Sequence, residues 1–323
     1  MSTGTRRIVR PWQVMLWSAI LVTGAIGIEL FSFSTSSAES DVEHQRVFND
    51  NYKVFSLTLP NELSFCGEQV PMERLDVRER LDRELLVNTY WQSNTLLAHK
   101  RTARWFHLIE EVLRREGVPE DMKYLAVVES GLMNVVSPAG ATGYWQFLKE
   151  TAISHGLEVN NEVDERYHVE RATEAACRYL KEAYRRHGSW ALAAAAYNLG
   201  QAGVDKQLTR QKQQNYFELQ LPEETSRYVF RILAMKEIIR DPERYGFHLR
   251  AKDLYPPYVT RSVEVNGPIE DLADFAIRHN TNYRTLKLLN PWLRDVKLTN
   301  REGRTYNILL PGEGFDSAGL PEN

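Results

Sequence analysis

The sequence at residues 124–130 is YLAVVES, and a glycine-rich stretch, SPAGATGYWQ, follows at residues 137–146. Apolar residues recur before Glu129 at helical spacing and Pro119 suits a first helical turn, so this segment is expected to form a buried helix. A carboxyl group among apolar side chains is disfavoured as an anion, which raises its pKa. Glu129 is therefore a candidate general acid. An ordinary glutamate at a helix end, or a buried structural carboxylate, is the alternative.

The composition indicates a globular protein of about two domains, because 323 residues with 43% apolar content can bury a large core. The formal net charge is only -3, and the basic residues are scattered along the chain. A nucleic-acid-binding protein is therefore not expected. The eight histidines show no paired spacing and no phosphate-binding glycine loop is present, so neither a metal nor another cofactor is predicted.

The first 38 residues differ from the rest of the chain. Arginines precede an apolar run at residues 12–28, and small polar residues follow it. This order is typical of a signal peptide cleaved near Ala38, so we expect export to the periplasm or cell envelope. A retained membrane anchor at residues 12–33 is the alternative. After export Cys66 and Cys177 could pair, but Cys177 fits better as a buried thiol on a helix.

The periodicity predicts a mainly helical domain followed by a small α+β module. Residues 39–72 are expected to form an extended arm and residues 73–247 an all-helical domain. Helices are predicted at about 73–117, at 120–130, and at 142–155, 170–187, 190–199 and 222–240. The module at residues 256–311 is expected to contain a strand at 258–265, helices at 269–277 and 283–289, and a strand at 305–310, before a loose tail at 312–323.

Several spaced blocks together resemble the lytic transglycosylases of the goose-lysozyme-like class. These blocks are the Glu129-Ser130 pair, the SPAGATG turn, Gln146 and the sequence AYNLG at residues 196–200. The resemblance covers about residues 70–247 and implies a lysozyme-like helical domain. It also implies cleavage of the β-1,4 bond between N-acetylmuramic acid and N-acetylglucosamine in peptidoglycan, whose glycan strands are the expected partner.

The resemblance implies a mechanism with a single carboxyl group. In this family one glutamic acid, here Glu129, protonates the leaving oxygen and then removes a proton from the sugar's C6 hydroxyl group, which closes a 1,6-anhydro ring. The usual glycosidase needs a second carboxyl group about 5 to 10 Å away. The candidates nearby in the chain fit better as a solvated face or a loop: Glu150, Glu162, Asp164 and Glu165. A hydrolytic muramidase and a non-catalytic peptidoglycan-binding protein are the alternative functions.

The resemblance also implies substrate-binding residues around Glu129. Ser137 corresponds to the family serine near the scissile sugar, although its spacing from Glu129 is one residue shorter than the common one, and a Ser-Pro turn is the alternative. Trp145 is expected either to stack on a sugar or to fill the core. Three further cleft residues follow from the same correspondence: Gln146, Tyr197 and Asn198. The block ETSRYV at residues 224–229 adds Tyr228.

The C-terminal module resembles a LysM domain, a small fold that binds N-acetylglucosamine polymers. Asn290, at the end of the second predicted helix, matches a common asparagine of that fold. The sequence GPIE at residues 267–270 departs from the usual Gly-Asp-Thr-Leu. The module is therefore expected either to bind glycan or to be a structural appendage.

Overall fold

The computed structural model describes residues 41–51 and 53–316. The predicted signal peptide and most of the predicted tail lie outside these residues. One compact unit ends at Ser56 and a second begins at Leu57. In the first unit Asp41–Asn51 forms helix α1, so this part of the predicted arm is helical and not extended. Side chains four residues apart, such as Gln45 and Asn49, are hydrogen-bonded at 2.9 Å along the helix, which supports it.

No helix within residues 41–51 and 53–316 is long and apolar enough to cross a membrane.

The second unit confirms the prediction of a mainly helical domain. It begins with a short antiparallel hairpin of β1 (Ser64–Phe65) and β2 (Glu68–Gln69). The helices that follow are α2 (Leu75–Tyr90), α3 (Gln92–Glu116), α4 (Lys123–Ser130), α5 (Lys149–Ser154), α6 (Val169–His187), α7 (Trp190–Leu199), α8 (Gln201–Gln211) and α9 (Glu223–Arg240).

Helix α7 lies at the centre of the packing because its alanine-rich sequence lets neighbouring helices approach closely. Residues 191–196 are at most 3% exposed, and α6, α8 and α9 pack against α7. Helix α9 also packs against α2 and α4. A fully buried leucine such as Leu192 or Leu233 contributes about 1.5–3 kcal/mol to this core. The packing therefore brings one face of α9 up to the end of α4, where Glu129 lies.

The predicted helix at residues 142–155 is wrong in its first half, since only Lys149–Ser154 is helical. Gly143 and Gln146 have φ values of 82° and 49°, which an α-helix does not permit. Thr142 instead forms antiparallel bridges with Val136 and Phe147. Residues 131–148 therefore form an irregular loop, called here the active-site loop, between α4 and α5.

The strand, helix, helix, strand order predicted for the C-terminal module is confirmed. Strands β3 (Thr260–Val265) and β4 (Tyr306–Pro311) pair antiparallel, and α10 (Leu272–Arg278) and α11 (Tyr283–Leu289) lie between them in the chain. The module has its own core, which includes Val163 of the helical domain at 1% exposure. The side chain of Asn290 is completely buried and bonded to Leu286 O at 2.9 Å and to Leu309 N at 2.8 Å. This asparagine therefore ties the end of α11 to β4.

Both cysteines are free thiols. Cys177 is completely buried in α6, as the interpretation of a core thiol predicts.

Candidate active site

Glu129 lies in the last turn of α4, a helix with most of its surface buried. Leu125 and Ala126 are completely buried. Gly131 ends the helix in the left-handed conformation, with its amide bonded to Val127 O at 2.8 Å. The Glu129 residue itself is half-buried. A carboxylate at this position faces the negative end of the helix dipole, so the helix favours the neutral acid.

The surroundings of Glu129 raise the pKa of its carboxyl group from 4.5 to about 7. Burial is the main cause, since desolvation disfavours the charged form. The Tyr228 hydroxyl donates a hydrogen bond to Oε1, and this bond and the positive charge of Arg231 lower the pKa. The negative charge of Glu224 raises it. A carboxyl group with a pKa near neutrality can both donate and accept a proton at physiological pH.

Helix α9 supplies these partners of Glu129. Tyr228 and Arg231 are three residues apart and therefore lie on one face of α9. Tyr228 is 1% exposed, and burial raises the pKa of its hydroxyl group well above 10, so the hydroxyl group remains a donor. The Arg231 guanidinium donates to Val128 O at 3.4 Å and forms an ion pair with Glu224 at 3.4 Å. The fold thus places one donor and one cation beside the candidate acid.

The end of α7 brings Tyr197 and Asn198 to the same region. The Tyr197 hydroxyl donates to Trp145 O at 2.7 Å, and burial raises its pKa well above 10, with a further contribution from Glu129. Asn198 Oδ1 accepts from the Thr225 hydroxyl at 2.7 Å, one turn of α9 before Tyr228. The Asn198 amide Nδ2 has no hydrogen bond to any residue that the structure describes. It is therefore available to a ligand.

The active-site loop is hydrogen-bonded to α4, and Gln146 bonds two backbone carbonyl groups within the loop. The hydroxyl of Ser130, next to Glu129, donates to Tyr144 O at 2.8 Å. Gln146 Nε2 donates to Gly143 O at 2.8 Å and to Val135 O at 3.0 Å. Its carbonyl Oε1 accepts no hydrogen bond from residues 41–51 or 53–316. The glutamine therefore holds the loop with its amide nitrogen and keeps one acceptor for a ligand.

Ser137 lies in a turn of the same loop. Its backbone amide donates to Ala141 O at 2.8 Å, and its side-chain oxygen accepts from Ala141 N at 3.0 Å. These contacts correspond to the Ser-Pro turn that the sequence offers as the alternative. The Ser137 hydroxyl hydrogen is not used in either contact, so a role in substrate binding stays a prediction.

The sugar-stacking role expected for Trp145 is not compatible with its position. The residue is completely buried, and its indole Nε1 donates to the Thr173 hydroxyl at 2.8 Å. A stacking residue must present a ring face to the ligand, and this ring presents none. Trp145 therefore fills the core, and its contribution to the site is the backbone carbonyl that accepts from Tyr197.

Three of the acidic residues considered as a second carboxyl group are engaged elsewhere. Glu162 accepts from Thr299 at 2.7 and 2.9 Å, Asp164 pairs with Arg166 at 2.7 Å, and Glu165 pairs with Arg171 at 3.2 Å. The fourth, Glu150, is exposed in the first turn of α5. These contacts agree with the interpretation of a loop and a solvated face.

The carboxylate whose charge acts on Glu129 is that of Glu224, which the sequence reasoning missed. Arg231 was missed as well. The signal was available, because residues 224, 228 and 231 recur at three- and four-residue spacing along a single predicted helix.

A cleft of about 630 Å³ lies between α3 and the C-terminal module, and Trp105, Tyr144 and Tyr258 are among its lining residues. Glu129 is not among them. The volume of this cleft is therefore no guide to the position of the candidate acid.

Within the described part of the chain, no group of three or more His, Cys, Asp or Glu side chains could hold a metal ion.

Two family models match the chain. Residues 107–220 match the transglycosylase SLT domain. Residues 261–314 match the soluble lytic transglycosylase C-terminal LysM-like domain. The chain contains an SLT domain and a LysM-like domain. The SLT range includes Glu129 and the active-site loop, whereas Tyr228 lies beyond its end.

Curated relatives resemble the chain over most of its length. Membrane-bound lytic murein transglycosylase D of Escherichia coli K12 is 29% identical over 262 residues, which are 78% of this chain and 56% of that protein. The protein of the same name from Escherichia coli O6:H1 matches equally. The chain therefore spans about half the length of these relatives. A solved structure, the 70 kDa soluble lytic transglycosylase SLT70 of Escherichia coli, matches with a TM-score of 0.39 and 19% identity over 55% of this chain and 33% of that chain.

Proposed function

We propose that the chain is a peptidoglycan lytic transglycosylase in which Glu129 is both the general acid and the general base. The observation that carries the proposal is the half-buried Glu129, whose pKa is raised to about 7 beside a hydroxyl donor. The SLT domain supports the reaction class. The name of the relatives, lytic murein transglycosylase D, supports peptidoglycan as the substrate.

In the first step neutral Glu129 gives its proton to the oxygen that links N-acetylmuramic acid to N-acetylglucosamine. The bond between that oxygen and the anomeric carbon breaks, and the N-acetylglucosamine leaves with the proton. The substrate's acetamido group stabilises the positive anomeric carbon. A donor with a pKa near 7 is suited to this step because it is protonated at neutral pH and still acidic enough to give up the proton.

In the second step the Glu129 carboxylate removes the proton of the C6 hydroxyl group, and O6 bonds to the anomeric carbon. The 1,6-anhydro ring closes, Glu129 regains its proton and no water is consumed. Tyr228 donates to the carboxylate that exists between the two steps, and the charge of Arg231 acts in the same direction. Both groups therefore stabilise the ionised form of Glu129 that exists between the two steps.

The free hydrogen-bonding atoms of the active-site loop and of the end of α7 suggest how the glycan strand is held. Gln146 offers Oε1 as an acceptor and Asn198 offers Nδ2 as a donor, because their other amide atoms are already paired. Ser137 offers a hydroxyl hydrogen. Sugars present hydroxyl and acetamido groups to such atoms. We infer that these three residues bind the substrate, while Tyr197 acts through the loop that it holds.

Hydrolysis by a second carboxylate is the rival mechanism, and Glu224 is the carboxylate that supports it. It is exposed and paired with Arg231 at 3.4 Å, so its oxygen atoms are accessible to water. A muramidase with Glu224 as the base would release reducing ends.

Product analysis of digested sacculi tests the proposal. We expect fragments with anhydro ends, which are lighter than hydrolytic products by one water. The Glu129→Gln variant is expected to lose turnover by about 100- to 10,000-fold while it still binds sacculi. The Glu224→Gln variant is expected to retain the anhydro product. Reducing ends would favour the muramidase, and binding without soluble fragments would favour a non-catalytic wall protein.

The names of the relatives also support a location at the cell envelope. Export by a signal peptide at residues 1–38, or tethering through residues 12–33, concerns residues outside the described part of the chain. Glycan binding by the LysM-like module is part of the same proposal and is supported by the family match at residues 261–314.

A further inference from the structure

One segment of the helical domain, residues 158–168, is built into the LysM-like module and is called here the junction segment. Glu162 O accepts from Arg294 N at 2.7 Å, and Asp164 N donates to Trp292 O at 2.9 Å. Val163 forms a bridge with Leu293 between these two bonds. The module therefore pairs with the backbone of the helical domain at this segment.

Side chains of the junction segment add further contacts to the module. The Glu162 carboxylate accepts from both the amide and the hydroxyl of Thr299, at 2.7 and 2.9 Å. Glu158 accepts from the Tyr306 hydroxyl at 2.9 Å and pairs with Arg304 at 3.1 Å. Hydrogen bonds to charged groups are stronger than neutral ones, so these contacts fix the segment firmly against the module.

The other side of the junction segment contacts the active-site loop. Arg166 donates to Phe147 O at 3.2 Å and to Gly140 O at 3.3 Å. Asn134 donates to Tyr167 O at 3.3 Å. At Gly143 a Cβ atom would lie only 1.9 Å from Arg166 O. The loop that carries Ser137 and Gln146 thus lies directly on the segment that the module holds.

Asp164 and Arg166 connect the contacts with the LysM-like module to the contacts with the active-site loop. The Arg166 guanidinium forms two bonds with the Asp164 carboxylate, Nε to Oδ1 at 2.9 Å and Nη2 to Oδ2 at 2.7 Å. The side chain of Arg166 is only 11% exposed and that of Asp164 only 9%. A paired, buried guanidinium has a single orientation, so the position of Asp164 determines where Arg166 points its remaining N–H groups.

We propose that Arg166 is a positioning residue through which the LysM-like module holds the active-site loop in register with Glu129. The inference rests on the proposed function of Glu129. The contacts run from the module through Asp164 and Arg166 to the loop, and from the loop to α4 through the Ser130 hydroxyl and Tyr144 O. Under this proposal the module contributes to catalysis as well as to any binding of glycan.

The Arg166→Ala variant of the full chain tests the inference by activity. Because a displacement of about 1 Å at a site can cost about 100-fold in rate, we expect kcat to fall by about 10- to 100-fold at temperatures well below the Tm of both proteins. Guanidinium ion at low millimolar concentration is expected to restore part of kcat, and sodium ion is not. The Arg250→Ala variant, which removes an exposed guanidinium paired with Asp253, is the matched control and should keep the wild-type kcat. An unchanged kcat in Arg166→Ala overturns the inference.

The Glu162→Gln variant tests the contact between the junction segment and the LysM-like module, and it changes no residue of the active-site loop. It weakens the bonds to Thr299, and we expect amide hydrogen exchange to increase in residues 134–147 and kcat to fall. Its effect should not multiply with that of Arg166→Ala, because both act through one chain of contacts. Unchanged exchange in the loop, or effects that multiply fully, overturn the inference. If the loop responds but the wild-type protein releases no fragments, the positioning role stands and the proposed function fails.

Discussion

The protonation of Glu129 predicts how the stability of the Glu129→Gln variant depends on pH. The folded protein raises the pKa of this group from 4.5 to about 7, mainly by burial. Each tenfold change in the dissociation constant corresponds to about 1.4 kcal/mol, so all the surroundings together make the ionised form of Glu129 less stable by a net of about 3 kcal/mol. Glutamine has nearly the same shape and cannot ionise, and its Oε1 can still accept from Tyr228.

The sign of the effect follows from linkage. Because the folded state holds the proton more tightly than the unfolded state, the stability linked to neutral Glu129 is complete below about pH 4.5 and is lost as the pH rises through 7. The Glu129→Gln variant cannot ionise at this position, so it keeps this stability at every pH in the range. Relative to the wild type, Glu129→Gln should therefore gain about 3 kcal/mol in the free energy of unfolding between about pH 4 and pH 8.

Urea denaturation of both proteins at several pH values in this range measures the difference directly, since the contributions of other groups cancel. The Glu111→Gln variant is the matched control for the exchange of a carboxylate for an amide, because Glu111 is exposed on α3. A Glu129→Gln difference that stays constant within about 0.5 kcal/mol across the range would refute a buried, neutral acid at this position.

Three further predictions follow from contacts around the site. Tyr228→Phe removes the hydroxyl that lowers the pKa of Glu129, so the alkaline limb of the pH–rate profile should move to higher pH and kcat should fall about tenfold. Gly143→Ala should lower the free energy of unfolding by about 2 kcal/mol more than Gly140→Ala does, as measured by thermal denaturation. Both glycines have φ near 81°, but only at Gly143 would a Cβ atom meet a backbone oxygen. Equal losses of stability in the two variants would contradict the close packing at Gly143. Trp145→Phe should lower stability by about 1–3 kcal/mol, through the lost bond to Thr173, without changing KM for glycan strands; a large rise in KM would restore a binding role.

Local periodicity accounts for most of the helical framework. Helices α6, α7 and α9 have boundaries within about two residues of the predicted ones, because apolar spacing and the glycines after α6 and α7 report directly on a buried face and a helix end. Helix α8 has few apolar residues and a glycine in its first turn, so its sequence lacks that signal. Helix α1 is polar and is supported by side-chain pairs, which periodicity does not detect.

The active-site loop shows the limit of such reasoning. Residues 142–148 contain aromatic and apolar residues at helical spacing, yet Gly143 packs against Arg166 O and Gln146 adopts a positive φ. These conformations are imposed by contacts with residues about twenty positions later in the chain. A sequence pattern contains no information about such a contact until the fold is known.

The sequence by itself determined the candidate acid, the helices that frame it and the order of elements in the LysM-like module, because each depends on residues close together in the chain. Only the tertiary structure decided which groups surround Glu129, that Trp145 is a core residue, and that the module reaches the active-site loop through Asp164 and Arg166. Those features depend on side chains that are distant in sequence, and burial raises the pKa of Glu129 only once α9, α7 and the loop have enclosed it.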